Sequence, residues 1–345
     1  MRIHLGHHFY GAGNLGDDFM LAGFFAALRT LAPEATFSGC VPFPLEPLRA
    51  RFPQVTWHSY SDTERERCIA ECDAWLGLGG SPFQHALSRW FLDHLLTEMG
   101  FCARAKKPTF FLGIGVQAPE ELLSPDVQRI AAQAAGIWTR DAGSAEMLRS
   151  LSSKPPIATA ADLAHLFFRA TRPPPAAHGR LTVVPNFDYA TWPGQEAFLR
   201  ATAGGHFATR VWLAQELREL PGAERALFAA LPPAEKSRWQ LVVPDTTAAP
   251  LAEVLARWPS GEWLVTARYH AALAAAWAGS RIVVIATNQK LRAAARELKC
   301  PVLQPDSDAA TVTRALGAAL PAIPPAPSSQ LAHDACAAFV RAVPR

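Results

Sequence analysis

Charge is sparse in this chain and gathers in no blocks. Only 18% of its 345 residues are charged and the formal net charge is +3. With no run of Lys or Arg, a broad nucleic-acid-binding face is not indicated. Long apolar runs are missing as well, since no uncharged apolar stretch reaches membrane-spanning length. The start, Met1-Arg-Ile-His-Leu-Gly-His-His, runs straight into a strand and lacks the apolar core and cleavage site of a signal peptide. Cysteines are few, six in all, and scattered, which favours a reduced, cytoplasmic protein over a disulfide-stapled one. Cys68 and Cys72 lie one helical turn apart in a charged segment, but no second ligand pair of matching spacing accompanies them, so no metal is expected. What the chain does have is apolar residues, 50% of the total, and length enough for two domains with substantial cores.

Strand and helix signals alternate from end to end. Residues 2–5, 35–39, 55–58, 74–78, 109–112, 136–139 and 157–160 read as strands, with helical patterns at 19–31, 63–72, 88–96, 127–134 and 145–151. Alternation of this kind means βα units, with helices on both faces of a mainly parallel sheet. The stretch from Arg169 to Gly179 then carries three consecutive prolines among small residues, which is stiff, poorly helical and suited to a linker. Strand signals restart at 181–184, 209–213, 240–243, 263–266, 281–285 and 301–303. The expected fold is therefore α/β, two Rossmann-like doubly wound domains facing across a cleft. The first spans 1–170, the linker 171–179 and the second 180–327. A second proline-rich stretch, Pro321 to Pro327, precedes a C-terminal segment, 328–345, whose helix at 331–343 is free to reach back to the first domain.

The first strand runs into Gly11-Ala-Gly13-Asn14-Leu-Gly16-Asp17-Asp18, a G-x-G-x-x-G spelling before a helix. A dinucleotide site of this type needs an acidic residue about 20 positions on to hold a ribose hydroxyl, where Ser38-Gly-Cys40-Val-Pro stands instead. Asp17 and Asp18 would also repel a pyrophosphate at the helix start, so nicotinamide binding is not expected. Asp17 is either a functional carboxylate or a helix N-cap. Further glycine turns follow strands at Gly79-Gly80 and Gly113-Ile-Gly115, where tight turning is the simpler reading. At Thr139-Arg140-Asp141-Ala-Gly-Ser144 another strand gives way to a helix. Asp141 or Ser144 caps it, and Arg140 either pairs with Asp141 or meets a ligand, the second being favoured.

The densest constellation is Thr266-Ala-Arg268-Tyr-His270, where a buried strand meets an alanine-rich helix with free N–H groups. Lys290, behind Thr287 and Asn288, ends the next strand and opens beside it. Three cationic or titratable groups at adjacent strand ends suit a small, highly charged anion. Alternatively, Arg268 caps or pairs within the fold and His270 is a satisfied core histidine.

Taken in order, Gly13-Asn14-Leu-Gly16-Asp17-Asp18, Gly79-Gly80, Gly113-Ile-Gly115, Thr139-Arg140-Asp141-x-x-Ser144, Ala160-Ala-Asp162, Ala267-Arg268-Tyr-His270-Ala and Asn288-Gln-Lys290 resemble the polysaccharide pyruvyl transferase family over most of the chain. The resemblance implies a GT-B-like shape and a transferase that moves a pyruvyl group from phosphoenolpyruvate onto two hydroxyls of a sugar, forming a ketal. It assigns the donor site to Arg140, His270 and Lys290, and puts Asn14, Gly16, Gly80 and Asn288 among the substrate-binding positions. The family's usual Asp-Glu pair is Asp17-Asp18 here, one methylene shorter.

The residues suit such a donor. Arg268 and Arg140 would grip oxyanions in a fork and Lys290 would add a point charge. His270, with an intrinsic pKa near neutrality, would protonate the methylene carbon, and Asp17 would orient or deprotonate the acceptor. No cofactor beyond the co-substrate is required. A GT-B-type glycosyltransferase using a nucleotide-sugar donor is the alternative, its diphosphate held by the same cations. Phe9, Tyr10, Phe83, Trp90, Tyr189 and Trp192 are candidates to stack on the sugar, although most aromatics in such a chain are core. A lipid-linked acceptor would be met at the bilayer surface, by peripheral contact with the membrane.

Overall fold

The computed structural model describes residues 1–6, 9–85, 89–151, 155–187, 190–204, 207–216, 218–244 and 249–344. Among these, the chain divides into two compact units, one of Met1–Ala12, Asp17–Ala170 and Ala326–Arg345, the other of Gly13–Gly16 and Thr171–Pro325.

The first unit alternates β1 (Arg2–Leu5), α1 (Leu15–Leu31), β2 (Thr36–Val41), α2 (Leu45–Arg51), β3 (Val55–Ser59), α3 (Asp62–Glu71), β4 (Ala74–Leu78), α4 (Trp90–Ala105), β5 (Thr109–Ile114), a 3₁₀ turn at Pro119–Leu123, α5 (Pro125–Gln133), β6 (Gly136–Thr139), α6 (Ala142–Arg149), β7 (Ile157–Thr159) and α7 (Ala164–Thr171). Its seven described strands are all parallel, in the order β3-β2-β1-β4-β5-β6-β7. Every residue of β4 and β5 is buried, because a parallel sheet is covered by helices on both faces and its central strands have no wet side.

The second unit follows with β8 (Ala177–Val184), α8 (Gln195–Thr202), β9 (Thr209–Leu213), α9 (Glu224–Ala229), α10 (Pro233–Lys236), β10 (Gln240–Val242), α11 (Leu251–Ala256), β11 (Gly261–Thr266), α12 (Tyr269–Ala278), β12 (Arg281–Ile285), α13 (Gln289–Leu298), β13 (Val302–Leu303) and α14 (Ala309–Ala318). Its six described strands are again parallel, in the order β10-β9-β8-β11-β12-β13. The switch point of this order, where ligands of doubly wound sheets bind, lies between β8 and β11. The turn from β11 into α12 starts there. Helix α12 is apolar all round and buried from Tyr269 to Trp277, as a helix inside a core must be. It ends at Gly279 in the left-handed region (φ 81°), a conformation glycine adopts without strain.

The chain closes with α15 (Ala326–Ala342), which packs on the first sheet. Phe339 is fully buried there, with its ring centroid 5.4 Å from Phe110, 6.1 Å from Phe24 and 6.4 Å from Trp138. Strand β8 begins at Ala177, inside the segment expected to be linker, because the Gly179 N–H donates to Glu262 Oε2 (2.8 Å) and Ala177 pairs with Gly261. Among the described residues no helix is long and apolar enough to cross a membrane.

Candidate functional site

The turn from β11 into α12 is built by Thr266. Its hydroxyl accepts from the Arg268 N–H (2.8 Å) and lies 3.2 Å from the carbonyls of Val184 and Arg268. This fixes the last residue of the strand against the first turn of the helix. Arg268 occupies the N-cap position, and its side chain makes no cap hydrogen bond to the helix.

His270, one residue into the helix, is 4% exposed. Its ring meets that of Tyr269 edge-on at 5.3 Å, and Gly16 lies against it. A Cβ added to Gly16 would collide with the imidazole Nδ1, so only glycine admits this approach. Asn14 sits two residues earlier, its Oδ1 accepting from the Gly16 N–H (3.2 Å), and its backbone bridges to Glu216. Residues separated by more than 250 positions in sequence, Gly16 and His270, are thereby brought into contact within the second unit.

Lys290, in the first turn of α13, holds its ammonium 5.0 Å above the Tyr269 ring, a cation–π placement that keeps the charge beside the α12 start. Asn288, expected to contact substrate, caps α13 by accepting from the Leu291 N–H (3.1 Å). Tyr269 therefore ties His270 and Lys290 together, a role its position between two more conspicuous residues did not advertise.

Arg268 points elsewhere. Its Nε and Nη2 donate to Glu224 Oε1 and Oε2 (2.7 and 3.2 Å), and Glu216 Oε2 lies 3.7 Å away. Glu216 in turn receives Arg218 at 2.8 and 3.1 Å. Burial pushes the Glu224 carboxyl above its usual range, against the opposing pull of Arg268. The guanidinium expected to grip a ligand oxyanion thus spends its fork on a buried carboxylate, because Glu224, fully enclosed, needs a counter-charge. Nothing in the local sequence marks Glu224, 44 residues from Arg268, as that partner.

In the first unit, Arg140 follows β6 and is 3% exposed. Its Nη1 donates to the Gly80 carbonyl and its Nη2 to Ser81 Oγ, both at 3.2 Å. Gly115 supplies the remaining wall, since a Cβ there would strike the guanidinium. Gly80 and Arg140, both expected at the site, are brought together. Gly79 and Gly80 take positive φ (72° and 70°), the tight turn their sequence suggested. Asp141 lies 3.9 Å from Arg140 Nε. Its carboxylate is committed instead to capping α6, accepting from the Ser144 N–H and hydroxyl (both 2.8 Å).

Helix α1 starts at Leu15, four residues earlier than its apolar pattern predicts, so Asp17 and Asp18 sit in its first turn and neither is the N-cap. Carboxylates are favoured there by the helix dipole. Asp18 is buried, accepting from the Gly11 N–H (2.8 Å) and Arg51 Nη1 (2.5 Å), and burial pushes its carboxyl up to about 6 against those two partners. Asp17 is partly exposed. Of the candidate sugar-stacking aromatics, Tyr10, Phe83 and Trp192 are core residues. Phe9 is half-buried against Trp90 and Phe91, Trp90 is 46% exposed, and Tyr189 falls outside the described residues.

With this geometry in view, known proteins can be compared. The family model for polysaccharide pyruvyl transferase matches residues 14–289, about four-fifths of the chain. No curated protein matches it. Among solved structures, HepE of Anabaena in complex with UDP-glucose is similar at a TM-score of 0.60 and 9% identity, over 99% of this chain and 95% of that one. A UDP-GlcNAc 2-epimerase from Neisseria meningitidis bound to UDP-GlcNAc reaches 0.61 and 11% identity, covering 99% of each chain. The UDP-N-acetylglucosamine 2-epimerase from Rickettsia bellii reaches 0.62 at 9% identity, covering 99% and 95%. At such identities the likeness speaks for the fold alone, two Rossmann-like domains of GT-B type.

Proposed function

The chain belongs to the polysaccharide pyruvyl transferase family, and on that premise we propose that it transfers a pyruvyl group from phosphoenolpyruvate to two hydroxyls of a sugar or glycan, forming a ketal. The observation that carries this reading is the contact of Gly16 with His270. A single family model runs from residue 14 to residue 289, and residues near its two ends meet at the one titratable side chain that the chemistry needs. Lys290 lies one position beyond that match.

In this reading Lys290 holds the donor's phosphate and carboxylate as a point charge, and the positive end of the α12 dipole favours the anion there. His270 gives a proton to the methylene carbon, making it a methyl group and leaving an oxocarbenium-like centre at the neighbouring carbon. One sugar hydroxyl adds to that centre. The carbon–oxygen bond to phosphate then breaks and the second hydroxyl takes its place. Two hydroxyl protons are released, one restoring His270 and one leaving on phosphate, so each ketal yields one phosphate. Arg140 is proposed to contact substrate oxyanions, and Asp17 to orient or deprotonate an acceptor hydroxyl. Asn14 and Gly16 shape the wall against His270. Arg268 keeps the turn electrostatically anchored through Glu224.

The solved structures similar to this chain carry UDP or UDP-sugars, which favours a second reading, a nucleotide-sugar donor. Phosphate release separates the two. The chain incubated with phosphoenolpyruvate across a panel of sugars is expected to release phosphate only when an acceptor is present. If no sugar elicits release while a UDP-sugar is consumed, the pyruvyl reading falls.

A further inference from the structure

We propose that Cys40, His58, Glu64 and Cys68 form a binding site for one zinc ion, distinct from the transfer site and independent of its chemistry. One atom each from His58, Glu64 and Cys68 already lies within 4.8 Å of the other two. The His58 Nδ1 to Glu64 Oε2 distance is 3.3 Å. Cys40 completes the set. It pairs with His58 across adjacent strands β2 and β3, and its buried thiol and that of Cys68 shift each other's titration, so the two sulfurs are neighbours. Two sulfurs, an imidazole and a carboxylate are a zinc donor set. In tetrahedral zinc such atoms stand roughly 3.3–3.8 Å apart, given metal–ligand bonds of about 2.0–2.3 Å, so His58, Glu64 and Cys68 have only about 1 Å to close, and Cys40, outside that group of three, has farther to come.

Helix α3 supplies two of the ligands one turn apart, Glu64 and Cys68. It holds them over the sheet because Ser61 caps it by accepting from the Glu64 N–H (3.2 Å). The thiols are buried, whereas the His58 and Glu64 side chains are 22% and 37% exposed, leaving an entry path. Cys72, the sequence neighbour that seemed the natural partner of Cys68, turns away and donates to the Ile69 carbonyl (3.2 Å).

The position is filled by a guanidinium. Arg67 Nη2 lies 2.7 Å from Glu64 Oε2, 3.4 Å from His58 Nδ1 and 3.9 Å from Cys68 Sγ. It thus touches the same three groups that a cation would. Its other nitrogen already holds Glu71 (3.2 Å), and that carboxylate can keep the whole side chain when zinc displaces it. Binding releases the two thiol protons. The site lies on the β2–β3 edge of the first sheet, with β1, β4 and β5 between it and β6, so its effect is to clamp α3 to that edge.

The full chain, stripped with a chelator and titrated with zinc and with cobalt, tests this. The expected result is one metal per chain, a thiolate-to-cobalt charge-transfer band, and a melting temperature that rises with zinc concentration. Cys68→Ser should weaken the charge-transfer band and lower the affinity, and Cys72→Ser should leave both unchanged. His58→Ala, which alters a partly exposed ring and spares the core, should weaken affinity by at least the roughly 10–100-fold that loss of an outer-shell partner costs. Arg67→Ala, which removes the competitor and no ligand, should bind more tightly than the wild type. The proposal is overturned if the wild type shows no cobalt–thiolate band, or if His58→Ala and Cys68→Ser bind as the wild type does.

Discussion

The imidazole of His270 fits its place only because position 16 is glycine, and under the proposed chemistry that dependence can be measured. His270→Gln is expected to lower turnover by about 10²–10⁴-fold, the range of a lost general acid, with the melting temperature nearly unchanged. Gly16→Ala, which puts a methyl group against Nδ1, should lower turnover in the same direction while leaving the imidazole itself in the sequence. Equal activity of Gly16→Ala and the wild type would mean that the contact has no bearing on the reaction. Arg268 poses the opposite case. Because it neutralises buried Glu224, Arg268→Ala should cost about 3–5 kcal/mol of stability, as removal of one partner of a buried pair does. Were Arg268 there only for the donor, denaturant unfolding would show no such loss. The sequence marked His270, Lys290 and Arg140 by residue type and by their places after strands. It was silent on Glu224, since a pairing across 44 residues leaves no local trace.

At the level of elements, the strands were the most legible feature. Apolar runs flanked by glycine or proline stand out wherever both faces are covered, and β1, β4, β6, β9 and β12 begin and end where those runs do. Short helices were not legible. Helices α9, α10 and α11 have four to six residues each, too few turns for a 3.6-residue period to emerge. Helix α1 was read too short because its first turn is spelled in glycine and aspartate, residues that otherwise mean loop. Helix α15 was visible, and its anchor is Phe339. Phe339→Ala should destabilise the first unit by about 3–5 kcal/mol, the cost of emptying a buried aromatic site. A loss under about 1 kcal/mol in urea unfolding would place α15 outside the cooperative core.

For the whole molecule, buried titratable groups limit the pH range from both sides. Burial pushes the imidazole of His4 down to about 3 from 6.5 and that of His94 down to about 4. Both therefore stay neutral in the fold while the unfolded chain takes up protons, and stability is lost as the pH falls below about 6.5. Glu98 works the other way. Burial lifts its carboxyl from 4.5 to about 8, against the pull of Trp75 and Arg65, so its contribution is lost as the pH rises from 4.5 through about 8. Glu98→Gln, which keeps an acceptor for the Trp75 N–H (2.8 Å), should remove the fall in a melting-temperature profile between pH 4.5 and about 8 that Glu98 causes, and leave the profile below pH 4.5 alone. An unchanged fall would remove Glu98 as its cause.

In the proposed transfer, phosphoenolpyruvate is the anion that binds beside His270 and Lys290. Thermal unfolding of the wild type and of Lys290→Ala, each with phosphoenolpyruvate and separately with UDP-glucose and UDP-GlcNAc, tests that directly. Phosphoenolpyruvate should raise the melting temperature of the wild type and do so far less for Lys290→Ala, with no comparable rise from either UDP-sugar. Stabilisation by a UDP-sugar and none by phosphoenolpyruvate would contradict the account.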